Sequence, residues 1–143
     1  YNHESPRRPA RFVSQKVVQA AVRIKRGEQD RLILGRLNTP VDWGYAGDYV
    51  RAMWGILQLD EPDEFVVATG ILRSIRDFVA TAFAMLDLDW SKYVVEREDI
   101  LTKVPVRLCG DSSKLRRTAH WQPETTFEDL IKMMIRAELE SAC

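Results

Sequence analysis

Apolar residues recur at Phe12, Val13, Val17, Ala20, Ala21 and Ile24, with Gln15, Lys16, Gln19 and Arg23 between them. That three-to-four-residue period predicts an amphipathic helix, ending near Gly27. Leu32-Ile33-Leu34 then reads as a short buried strand followed by Gly35, and Pro40 and Gly44 bracket a tight loop that carries Asp42 and Trp43. Asp48 is placed to cap a second helix with an apolar face of Tyr49, Val50, Met53, Trp54 and Leu57. After the turn Glu61-Pro62-Asp63, the run Phe65-Val66-Val67-Ala68 is apolar on both faces, as a strand inside a sheet would be.

Ser74-Ile75-Arg76-Asp77 carries a capping signal for a third helix, with Ile75, Phe78, Val79, Ala82, Phe83 and Leu86 as its core face. Tyr93-Val94-Val95 predicts a third strand. Val104 to Cys109 predicts a fourth, weakened by Pro105 and suited to an edge. A short helix covers Ser113 to Ala119. Thr126-Phe127-Glu128-Asp129 caps a last helix with Phe127, Leu130, Ile131, Met134, Ala137 and Leu139 on its apolar side. Helices and strands alternate, so the fold class is α/β: about five helices on three or four short strands. So few strands leave the architecture incomplete, as though a larger sheet belonged beside it.

The 143 residues suit one domain, and 45% hydrophobic with 29% charged residues is ordinary for a globular one. Formal net charge is zero, so no pull toward nucleic acid is implied. Apolar runs are too short to span a bilayer, and no leader of the basic-apolar-small kind is visible. Cys109 and Cys143 lie far apart and read as free thiols, which places the chain in the cytoplasm. His3 and His120 are widely separated, without metal-ligand spacing, so no metal site is expected. No GxGxxG or GxxxxGK loop occurs, and no Tyr-x-x-x-Lys pair.

Three arrangements carry candidate chemistry. Asn2-His3-Glu4-Ser5-Pro6-Arg7-Arg8 places paired guanidinium groups beside Asn and His, a combination that grips phosphate oxygens or forms a solvated basic tail. Lys16 lies near the start of the first helix, where an anion is favoured, although a solvent-facing Lys fits the composition as well. Leu34-Gly35-Arg36-Leu37 with the loop through Trp43 and Tyr45 allows close approach of a flat base, or serves packing alone.

Several words in this sequence, in order, resemble the GDP-mannose 4,6-dehydratase family of the extended short-chain dehydrogenase/reductase superfamily. They are Asn2-His3-Glu4-Ser5-Pro6-Arg7-Arg8, Asp42-Trp43-Gly44-Tyr45-Ala46, Asp48-Tyr49-Val50 with Ala52-Met53-Trp54, Asp60-Glu61-Pro62-Asp63, Val67-Ala68-Thr69-Gly70, Gly110-Asp111 with Ser113-Lys114, and Trp121-Gln122-Pro123. The resemblance is to the family's C-terminal, substrate-binding part. It implies that the N-terminal Rossmann domain, with the cofactor loop and the catalytic Thr, Glu, Tyr and Lys, lies upstream of Tyr1, and that no catalytic residue is in this chain. The family's reaction takes a hydride from C4 of the sugar to NADP, eliminates water across C5 and C6, and returns the hydride to C6.

By resemblance, His3 and Arg8 contact NADP, which the absent N-terminal domain would mainly bind. Asn2 reaches the diphosphate region, Val13 and Lys16 line the nucleotide, and Leu34, Gly35 and Arg36 lie near the guanine. Residues 1–11 form the segment contacting cofactor and substrate, and residues 12–143 the nucleotide-sugar-binding part. Two departures stand out: Val41 occupies the place of a family Arg before Asp-Trp-Gly, and Ile100-Leu101-Thr102-Lys103-Val104-Pro105 lacks the family's Arg-Pro. Each such charged contact contributes about 1.5–3 kcal/mol, so losing both would weaken GDP-sugar binding by orders of magnitude unless Lys103 or Arg107 compensates. The expected partners are GDP-mannose or a related GDP-sugar, a complementary N-terminal half or further copies of the chain, with no nucleic acid or membrane. Two other readings stay open: a non-catalytic remnant acting as an interaction module, and part of a sister GDP-sugar reductase or epimerase.

Overall fold

The computed structural model describes residues 1–97, 99 and 107–141. Among them the chain is mixed α/β, with five α-helices and six short strands. Helix α1 (Val13–Lys25) forms where the period put it and buries the predicted Val17, Ala20, Ala21 and Ile24, but it buries Val18 and Val22 as well, so the covered face is wider than the spacing gave. Phe12 flanks its start instead of joining it. Gly27, at φ 73°, takes the left-handed conformation that ends many helices and that other residues resist. Gln15, expected on the polar face, is buried because α5 (Phe127–Ser141) lies there, and its Nε2 donates to Glu138 Oε2 at 3.0 Å.

Helix α3 (Ile75–Ala84) begins with the predicted capping box: Ser74 Oγ accepts from Asp77 N, and the Asp77 carboxylate accepts from Ser74 N. Thr126 Oγ1 accepts from Asp129 N at the start of α5. Helices α1, α3 and α5 enclose the main core around Phe78, Phe83, Ile131 and Met134.

The strands form three separate pairs. Strand β1 (His3–Glu4) runs parallel to β4 (Gly44–Tyr45), β2 (Leu32–Leu34) parallel to β6 (Val94–Glu96), and β3 (Pro40–Asp42) antiparallel to β5 (Leu72–Ser74). The expected loop from Pro40 to Gly44 is therefore strand, because distant segments supply its ladders. Strand β2 buries Leu32 and Leu34 but leaves Ile33 exposed, so one face is covered where full burial was expected.

The strand expected at Phe65-Val66-Val67-Ala68 is not formed. The amide N–H groups of these residues have no partner among the described residues, and a strand requires a neighbour as well as suitable side chains. Half of the strand expected over Val104 to Cys109, residues 104–106, lies outside the described residues, as does Lys103; 107–109 carry no ladder.

A second, smaller core joins α2 (Ala46–Ile56), α4 (Ser113–Ala119) and Trp121 through Tyr49, Ala52 and Leu115. The predicted apolar face of α2 is mostly uncovered: Val50, Met53, Trp54 and Leu57 are 61%, 51%, 67% and 80% exposed. Asp48 does not cap α2. It sits inside the first turn, where its carboxylate accepts from Glu124 N (3.1 Å) and Thr125 N (2.9 Å) and pairs with Arg51. No helix among the described residues is long and apolar enough to cross a membrane.

Candidate functional site

The opening segment is part of the fold. Asn2 O accepts from Gly44 N at 3.2 Å, and β1 continues that register beside β4. His3 is exposed, its Nδ1 lies 3.0 Å from Tyr1 O, and its ring centroid is 5.5 Å from that of Tyr49. Glu4 faces inward and accepts from Ser14 Oγ in the first turn of α1. Burial raises its carboxyl above the usual range, against the lowering effect of Ser14, Arg8 and His3. Arg8 Nε approaches Glu4 Oε2 at 3.1 Å, without hydrogen-bond alignment, and the guanidinium sits 3.6 Å over the Phe12 ring. Arg8 is thus held in place, while its Nη atoms have no protein partner among the described residues.

The remaining predicted residues lie along α1 and β2. Val13 and Lys16 are three apart and share a face of α1. Lys16 Nζ donates to Ile33 O at 2.9 Å, which ties it to the strand that leads into Gly35 and Arg36. Leu34 points into the core, so only its backbone is available to a ligand. Gly35 and Arg36 are half-buried. The fold therefore places Asn2, His3 and Arg8 by β4 and the start of α1, and places Lys16 beside the segment 34–36.

Residues to which the sequence reading gave no role of their own hold this scaffold together. Asp42 is buried and accepts four hydrogen bonds: Oδ1 from Thr69 N (3.0 Å) and Thr69 Oγ1, and Oδ2 from Gly70 N (3.0 Å) and Gly110 N (3.2 Å). It fastens β3 to the Thr69-Gly70 turn and to Gly110. The available signal was an aspartate between Val41 and Trp43, since a carboxylate in an apolar run must find donors. Gly44 is forced by packing, because a Cβ there would fall on the Tyr49 ring edge.

Two adjoining cavities open beside the Asp42 turn. One, of about 350 Å³, lies between Trp43, Arg73 and Phe127; the other, of about 500 Å³, is bounded by Thr69, Gly70, Gly110 and Arg116. Tyr49 offers no base here. Burial, then Asp42 and Asp48, push its hydroxyl well above the ordinary tyrosine range, and its oxygen is buried without a hydrogen-bond partner. No cluster of three or more His, Cys, Asp or Glu residues among the described residues could hold a metal ion. The cavity walls carry the cations Arg73 and Arg116 together with the acids Glu124, Glu128 and Asp111.

A profile of the family described as GDP-mannose 4,6 dehydratase matches residues 1–134. GDP-mannose 4,6 dehydratase 2 of Arabidopsis thaliana is 44% identical over 143 residues, covering 99% of this chain and 38% of that protein. The Homo sapiens GDP-mannose 4,6 dehydratase is 37% identical over 158 residues, covering 98% of this chain and 42% of its own length. The chain thus spans about two-fifths of these relatives' length. Among solved structures, RMD from Pseudomonas aeruginosa complexed with NADPH superimposes at a TM-score of 0.89 and 22% identity, over 99% of this chain and 47% of that one. A dTDP-glucose 4,6-dehydratase from Bacillus anthracis in complex with NAD gives 0.82 and 16%, over 97% and 42%. At these identities the structural likeness establishes a shared fold.

Proposed function

The chain belongs to the GDP-mannose 4,6-dehydratase family, and from that membership we propose that residues 1–143 form the GDP-sugar side of the enzyme's cleft. Asn2, Val13, Lys16, Leu34, Gly35 and Arg36 are the residues proposed to contact the nucleotide sugar, and His3 and Arg8 those proposed to meet NADP. The observation that carries this reading is the contact between Lys16 and β2. It joins two sequence-distant members of the proposed nucleotide contact into one surface.

The residues present fit the edge of an anionic cofactor. His3 is exposed, and Arg8 is fixed by Glu4 and Phe12 with its Nη atoms unclaimed among the described residues. When bound, NADP would accept and return the hydride of the dehydration. Residues 1–143 contribute holding and orientation: guanidinium and ammonium groups for phosphate, and the backbone of 34–36 for the base. The Tyr49 hydroxyl, kept protonated, takes no part in proton abstraction.

The uncovered stripe on α2 fits a partner surface, and the proposed occupant is the cofactor-binding part that makes up the remainder of the relatives' length. The same stripe favours a second reading, in which further copies of the chain cover it in a non-catalytic assembly. Residues 1–143 alone are expected to give no product from GDP-mannose and NADP in a turnover assay. Product formation by these residues alone would contradict the reading.

A further inference from the structure

We propose that Arg73 grips the diphosphate of the nucleotide sugar in the cavity between Trp43 and Phe127, an assignment that rests on the GDP-sugar reading and adds a residue to it. Strands β3 and β5 place Val41 directly opposite Arg73, and directly opposed residues of an antiparallel pair project from the same face. Trp43 Nε1 donates to Arg73 O at 3.3 Å, which locks the strand next to the indole. The Arg73 guanidinium then reaches over the Phe127 ring, 5.5 Å from its centroid, and forms part of the cavity wall with Thr69 and Thr126.

Its charge is not neutralised by any described residue. No carboxylate among the described residues lies within ion-pair distance of Arg73. Glu124, in the same wall, is already paired with Arg51, so Glu128 is the acid left to oppose an incoming anion. A cavity of about 350 Å³ falls within the range of roughly 300–1,000 Å³ typical of small-molecule sites. A planar guanidinium offers a fork of donors matched to phosphate oxygens, and the aromatic ring beneath it limits the conformations it must give up on binding. The segment 34–36 leads through residues 37–39 into β3, so one stretch of backbone connects the proposed base contact to this cavity. The assignment also returns a cation to the sheet face where Val41 offers none.

The opposing view is that Arg73 only covers Phe127. Calorimetric titration of the intact chain and its Arg73→Met and Arg73→Lys variants separates the two, with GDP and inorganic pyrophosphate as separate ligands. Methionine keeps an apolar stem over the ring and removes the charge. Arg73→Met is expected to bind both ligands at least ~10-fold more weakly, with Arg73→Lys intermediate and all three proteins melting together. Equal GDP binding by the parent chain and Arg73→Met overturns the role of Arg73 and leaves the GDP-sugar reading standing. Pyrophosphate binding that depends on Arg73, without GDP binding, upholds the anion site and removes the nucleotide reading. Absence of binding by the parent chain to either ligand overturns both.

Discussion

Asp42→Ala is expected to destabilise the chain by about 2–4 kcal/mol, read as a lowered urea midpoint at unchanged slope. The carboxylate serves three backbone N–H groups and one hydroxyl, on residues 27, 28 and 68 positions away. Gly110 N is buried and would be left without an acceptor, which costs about 1–3 kcal/mol by itself. Thr69 N and Gly70 N are partly exposed, so water recovers part of their share. Asp42→Asn should cost nearly as much, because its amide group would meet two of those donors with donors of its own. A loss below about 1 kcal/mol would show that the Thr69-Gly70 turn holds its shape without Asp42. On a total stability of about 5–15 kcal/mol the expected loss is a large fraction, and the two cavities beside the turn should lose their definition with it.

The exposed face of α2 sets the second large effect. Val50, Met53, Trp54 and Leu57 follow the i, i+3, i+4, i+7 spacing of a single helical stripe, and all are more than half exposed. Burying a large apolar side chain contributes about 1.5–3 kcal/mol, so the stripe is a strong reason for the chain to associate. In isolation the chain is expected to self-associate and to bind an apolar dye. Trp54→Lys combined with Leu57→Lys should weaken that association by about 100-fold or more, as followed by analytical ultracentrifugation, with helical content retained. Unchanged association in the double variant would place the contact elsewhere.

What the sequence made legible was chiefly local. The Ser74–Asp77 capping box and the Thr126–Asp129 cap are each complete within four residues, and both occur where the pattern put them. The core face of α3 follows from spacing, and so does the mixed α/β class; the faces of α1 and α5 follow in part, since Val18, Val22 and Ile135 are buried beyond the pattern and Leu139, placed on the apolar side, is exposed. Features that depend on distant partners were not legible. The segment from Pro40 to Gly44 reads as a loop until β5 and β1 are seen beside it. Phe65-Val66-Val67-Ala68 has the composition of a strand, but nothing among the described residues pairs with its amides. The α2 stripe was visible as a stripe, while the period of a helix says nothing of what covers it. Asp48 shows the same limit: as a cap it would serve its own helix, whereas its acceptors' work is done for Glu124 and Thr125, 76 and 77 residues on.

For the candidate site, resemblance named the residues and the fold supplied their setting. The tie from Lys16 to Ile33 connects a helix and a strand that the sequence left as separate candidates. The position of Arg73 opposite Val41 required the register of β3 and β5, which no local pattern encodes.

The GDP-sugar site is tested most directly by calorimetric titration of GDP-mannose into the chain. Saturable binding at one site is expected, in the micromolar range, displaced by GDP and weakened by added salt as for phosphate held by cations. Absence of binding at millimolar GDP-mannose would contradict it.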